Sequence, residues 1–230
     1  MRAACLESDY FGLTLSIFLF LFSLMLRQRL RFAILNPLLL SSAMIVALLC
    51  IFRIPYEEYR KSASLLSYLL TPATVCLAIP MYKQLRLLRE NLTAVLLSIT
   101  VGTLCSLLCV FGLGTLFGLG GEHIASLLPK SITTAIGMGV SEEAGGIVTL
   151  TVAAIVLTGI LGNMIADPLF RFLKIRHPIA RGLALGTSAH AVGTAKALEL
   201  GEIEGAMSSL SIVVAGILTV VLVPLINSFV

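Results

Sequence analysis

Lys130, Ser131, Thr133 and Thr134 follow Pro129 directly and put one cation and three hydroxyls into a single short stretch. Proline suits the opening turn of a helix, because its missing N–H would have no intrahelical partner there. A helix that starts at this point directs free N–H donors and the positive end of its dipole toward whatever lies in front of it. Together with the lysine, those donors could hold a carboxylate. A plainer alternative stays open, in which Lys130 snorkels to an interface and the hydroxyls bond their own backbone. Glu142 and Glu143, further along, are expected to mark a water-exposed end.

A second stretch has the same unusual mixture. Gly186, Thr187, Ser188, His190, Gly193, Thr194 and Lys196 lie within an otherwise apolar segment. An ionisable side chain at membrane depth costs roughly 2.5–3.5 kcal/mol on insertion scales, so it is a functional candidate by default. His190 has two readings: a proton-coupling group that titrates near neutrality, or a structural histidine bonded across helices. Gly186 and Gly193 would let another backbone approach closely. Lys196 is expected to snorkel at the segment end, and Asn163 and Asp167 to mark the end of a span. In secondary transporters, two broken helices of this kind meet near the bilayer midplane and bind an anion at their half-helix N-termini.

The elements around these stretches must lie in a membrane. Of 230 residues, 58% are hydrophobic and only 12% charged, with a mean hydropathy of +1.03. Soluble domains hold about 45–50% apolar and ~25% charged residues. Seven apolar segments are legible, near 10–26, 32–52, 64–82, 92–119, 144–166, 182–198 and 207–230, with a shorter piece at 126–139. Glu7 and Asp9 precede the first segment and Arg27, Arg29 and Arg31 follow it, the reverse of a cleaved signal peptide, so this span is expected to be retained. Basic clusters at Arg27/Arg29/Arg31, Lys83/Arg86/Arg89 and Arg171/Lys174/Arg176/Arg181 all belong on the cytoplasmic side by the positive-inside rule. They can share that side only if the piece at 126–139 enters and leaves by the same face. The expected fold is an all-α polytopic membrane protein, with about six full transmembrane helices plus two discontinuous or re-entrant segments, transporter-like with internal repeats.

Eighteen of the 19 glycines fall after position 100. The single membrane domain expected over 1–230 therefore divides into scaffold-like helices at 1–90 and a glycine-rich part at 91–230 that carries the candidate site. Two internal alignments suggest repeats, one pairing Pro72 to Met81 with Pro129 to Met138, the other pairing Ser131 with Thr187 and Thr134 with His190. Asn36-Pro37 and Thr71-Pro72 are expected to kink or interrupt their helices. The five cysteines, Cys5, Cys50, Cys76, Cys105 and Cys109, show no metal-ligand spacing and are expected to be small buried thiols. No metal or cofactor is expected. The +4 charge lies in short loops and speaks for topology, not nucleic acid. HExxH and GxSxG are absent, and Ser188 and His190 stand too close on one segment to form a dyad, so an enzyme is not expected.

The stretches Pro129 to Thr134, Gly145-Gly146 and Arg181 to Ala195 closely resemble the LrgB/CidB family of bacterial membrane proteins. Asn36 to Leu39 and Pro72 to Tyr82 look like that family's N-terminal signatures, so the resemblance covers nearly the whole chain. The chain departs from the family pattern at Ala135-Ile136-Gly137 and from Ser141 to Ala144. The resemblance implies an antiholin-like protein of the bacterial inner membrane that acts with an LrgA/CidA-type partner on murein hydrolase activity and lysis. It also implies a carrier for small monocarboxylates, since plant relatives move glycolate and glycerate and bacterial members are linked to pyruvate. The expectation is a transporter, possible proton coupling included, that binds a small anion at two facing broken helices through Lys130, Ser131, Thr133, Thr134, Gly186, Thr187, Ser188, His190, Gly193 and Thr194. The regulatory role is the alternative, and a homo-oligomer is expected in either case.

Overall fold

The computed structural model describes residues 10–30 and 37–228, and among these every regular element is helical. Glu7, Asp9, Cys5, Arg31 and Asn36, used above, lie outside the described residues. The chain forms two compact units, Met1–Cys76 and Leu77–Val230.

The first unit holds α1 (Phe11–Leu30), α2 (Pro37–Phe52), α3 (Tyr56–Ser62) and α4 (Ser64–Cys76). Pro37 opens α2, as its missing donor favours, whereas Pro72 sits inside α4 without ending it at once. Gly12, the one glycine of this half, has a clear reason. Its N–H donates to Ser62 Oγ at 2.9 Å, and a Cβ there would strike the Tyr59 carbonyl. Ser16 Oγ and Tyr59 Oη, 2.8 Å apart, complete the join between α1 and α3.

The second unit begins with the short helices α5 (Ala78–Lys83) and α6 (Leu85–Glu90) and continues into α7 (Leu92–Leu116). There follow α8 (Gly121–Leu127), a 3-10 turn (Leu128–Ser131), α9 (Thr134–Glu143), α10 (Val148–Phe172), α11 (Pro178–Leu200) and α12 (Glu202–Asn227). Five helical runs are long and apolar enough to cross a membrane: Phe11–Arg29, Ser64–Lys83, Leu92–Leu116, Val148–Phe172 and Glu202–Asn227. Pro37–Phe52 is apolar but shorter. The protein is thus an all-helical, multi-pass membrane protein.

Helices in lipid associate through close packing and interhelical hydrogen bonds, since lipid tails are as apolar as the side chains they would replace. The extensive α11–α12 contact shows how. Gly182 and Gly186, four residues apart, let α12 approach until their missing side chains would meet the backbone of Glu204 and Ser208. Buried Leu88, Val95, Ile99, Leu183, Met207 and Ala215 fill the junction of α6, α7, α11 and α12. A second cluster, including Leu107, Leu128, Ile132 and Val223, seats the 3-10 turn against α7 and α12.

Candidate functional site: two facing chain breaks

The first break is a hairpin. After the 3-10 turn, Ile132 (φ −106°, ψ 177°) and Thr133 (φ −64°, ψ 145°) are extended, and α9 then runs back. The return is fixed where Ile147 N donates to Ser126 Oγ at 2.6 Å, and where Gly146 packs so closely on the Ala125–Ser126 backbone that no side chain would fit. At mid-hairpin Gly137 faces the Pro129 carbonyl, and Thr151 of α10 bonds Ser141 Oγ at 2.6 Å. Entry and exit therefore lie side by side, the arrangement that a re-entrant segment needs. Glu142 and Glu143 are exposed near its mouth. The tip carries Thr133 and Thr134, both half-buried, and α9 starts there with no side-chain cap bond.

The second break interrupts α11 at Ala189 (φ −128°, ψ 16°) and His190 (φ 42°, ψ −136°). A positive φ on a non-glycine residue is strained, costing of order 1–3 kcal/mol, and persists only when its surroundings hold it. His190 is held. Its ring, 4% exposed, places Nε2 3.0 Å from the Ile155 carbonyl of α10 and packs against Gly159. Past the break, Thr194 Oγ1 donates to the His190 carbonyl at 3.1 Å and lies 2.7 Å from Ser208 Oγ of α12. Gly193 packs on the Leu185 carbonyl, which a Cβ would overlap. Asn163 Nδ2 reaches the Val192 carbonyl at 3.3 Å.

Three single-residue expectations need correction. Lys196 does not snorkel: its side chain is 8% exposed, with Nζ 2.8 Å from Asp167 and 3.4 Å from Glu199. Nor do Asn163 and Asp167 mark the end of a span, because α10 continues through Pro168 to Phe172. Their polar atoms instead bind the second half of α11, which satisfies them inside the helix pair.

The two breaks converge on two cavities. The larger, of about 330 Å³, has Lys130 at one side and Ser188 at another, between walls that include Leu161, Ile165 and Leu185, with Thr158 and Gly162. The smaller, of about 10 Å³, is lined by Ser131 and Thr187 from the two breaks and by Thr103 and Ser106 from α7. Lys130 connects them, its Nζ lying 3.0 Å from Ser131 Oγ and 3.5 Å from Ser106 Oγ. Of the residues singled out in the sequence, Lys130, Ser131, Thr187 and Ser188 face these cavities, Thr133 and Thr134 form the hairpin tip, and Gly186, His190, Gly193 and Thr194 hold the second break in place.

The two half-buried or buried lysines of this unit differ in one respect. Lys196 has two carboxylates, whereas Lys130 has hydroxyl partners and, among the described residues, no acidic one. A desolvated ammonium without a counter-charge favours an anion. Apolar walls beside it suit a ligand with a small apolar body. Thr103, Ser106 and Thr158 were not singled out in the sequence, although hydroxyls at 103 and 106 stand out in an apolar helix on one face. No group of His, Cys, Asp and Glu suited to a metal occurs among the described residues.

A family profile described as LrgB-like matches residues 16–229. Proteins named "Antiholin-like protein LrgB" from Bacillus cereus (strain B4264) and Bacillus anthracis (strain CDC 684 / NRRL 3495) are each 34% identical over 224 residues, 97% of this chain and 97% of theirs. No solved structure matches.

Proposed function

Because this chain belongs to the LrgB-like family, we propose that it is an antiholin-like protein that restrains lysis from within the inner membrane, together with a small LrgA/CidA-type membrane partner. End-to-end similarity to proteins bearing that name supports the reading, since 97% of each chain is covered. Deleting the gene should advance or enlarge lysis and raise murein hydrolase activity, and the intact gene should reverse both. Unchanged lysis in the deletion strain would count against this role.

A second reading is favoured by one feature of the site, the cation Lys130 with no acidic partner among the described residues, set between two chain breaks and an apolar cleft. On that reading the protein carries a small monocarboxylate across the membrane by alternating access around the paired breaks. The two roles are compatible if restraint of lysis follows from movement of the anion. Purified protein in liposomes, given labelled pyruvate, glycolate or lactate with and without a pH gradient, tests the carrier. Uptake that requires Lys130 supports it, whereas absence of uptake, alone and with the partner, leaves only the regulatory role.

A further inference from the structure

The small chamber carries five hydroxyl side chains, Thr103, Ser106, Ser131, Thr187 and Thr219, among four apolar ones, and one of the hydroxyls is out of pattern. In membrane helices a serine or threonine commonly bonds the carbonyl four residues back. Thr100, Thr115, Ser209 and Thr219 do so here, accepted by the carbonyls of Leu96, Phe111, Gly205 and Ala215. Thr103, on the same helix as Thr100, does not. It is 4% exposed and lines the chamber, and its Oγ1 has no hydrogen-bond partner in the protein, alone among the buried side-chain polar atoms of the described residues. Leaving such a group unsatisfied costs about 1–3 kcal/mol.

The volume sets the size of what would satisfy it. About 10 Å³ is close to the ~10–15 Å³ that accommodates one water molecule, which needs two to four polar neighbours. Thr103, Ser106, Ser131 and Thr187 can supply them. A whole carboxylic acid does not fit, but one oxygen atom does. The charge narrows the choice further: Lys130 Nζ lies within hydrogen-bonding distance of both Ser106 and Ser131, so a sodium-sized cation would sit against an ammonium. A neutral or anionic oxygen is favoured over it.

We propose that this chamber is a binding site for a single hydrogen-bonding oxygen, with Thr103 Oγ1 as its ligand from α7 and Ser106, Ser131 and Thr187 as the others. The oxygen has two sources, a resident water or an oxygen of an anion held by Lys130, and the second source rests on the carrier reading. The chamber thereby joins α7 to both chain breaks through a ligand that all three share.

The test compares Thr103→Val, which removes the hydroxyl at nearly constant shape, with Thr103→Ser, which keeps it. Each is melted in detergent with and without pyruvate, and each is assayed for pyruvate uptake in liposomes. With a bound oxygen, Thr103→Val lowers Tm by about 2–4 °C and Thr103→Ser stays near the parent. A Tm for Thr103→Val that is unchanged or raised both with and without pyruvate overturns the proposal, because removing a truly orphaned hydroxyl is neutral or stabilising. A Tm difference that appears in sodium but not in potassium buffer also overturns it, in favour of a cation site. If the pyruvate KM of Thr103→Val rises about tenfold at an unchanged maximal rate, the anion supplies the oxygen; an unchanged KM with a lowered Tm assigns it to water. Should the parent protein take up no pyruvate, the carrier reading fails while the melts still decide the chamber.

Discussion

Lys130 and His190 share a membrane setting but have different surroundings. Lys130 lines the larger cavity and, among the described residues, has hydroxyl partners alone, while His190 lines neither cavity and is bonded to the Ile155 carbonyl. Substituting Lys130 with Ala should abolish monocarboxylate uptake in liposomes without reducing membrane insertion, and Lys130→Arg should recover part of it because the positive charge remains. Uptake at the parental rate in Lys130→Ala would remove the cation from the mechanism. His190→Ala should act on stability, since it exposes the Ile155 carbonyl to an unfilled space and releases the strained backbone; a loss of about 1–3 kcal/mol is expected in a thermal melt. If His190 is structural, the shape of the uptake pH profile stays the same in a His190→Gln variant that remains folded. A shifted profile would instead identify the ring as a proton-carrying group.

Helix contacts decide how those residues meet. α11 and α12 lie backbone to backbone because Gly182 and Gly186 leave no side chain between them. Gly186→Ala would place a methyl group on the Ser208 carbonyl, forcing either the helices apart or the first half of α11 to shift. Overpacking of this kind costs about 1–3 kcal/mol. Gly112→Ala is the natural control, since nothing lies within 4 Å of a Cβ at that position. The pair should therefore separate in thermal melts, with Gly186→Ala clearly lower, and equal melting would show that the α11–α12 contact can relax. The Lys196–Asp167 pair gives the same helix a second attachment, and it anchors the half of α11 that follows the break.

At the scale of the whole molecule the prediction concerns sidedness. The hairpin from α8 to α9 closes on itself through Ser126 and Ile147, so Gly120 and Glu143, at its two ends, should face the same aqueous side. Placing single cysteines there, in a background lacking the native ones, and labelling from one face of the membrane should modify both. Labelling from opposite faces would mean that the segment crosses, and the Arg171 to Arg181 loop would then lie outside, against the positive-inside rule.

Composition alone was enough to put the chain in a membrane, because so few charged residues cannot clothe a water-soluble surface. Glycines, prolines and hydroxyls interrupting apolar runs were enough to locate both chain breaks, as those residue types weaken or redirect a helix locally. What faces what was beyond the reach of local pattern. The internal alignment set Ser131 beside Thr187 as equivalents, but only the packing of α7 between the breaks brings both into one chamber and adds Thr103 and Ser106 to it. In the same way, Lys196 and Asp167 looked like two separate span ends until α10 and α11 placed them 2.8 Å apart. A helix break is written in a few neighbouring residues, whereas a cavity is a property of surfaces from segments far apart in the chain, and those surfaces meet only once the helices have packed.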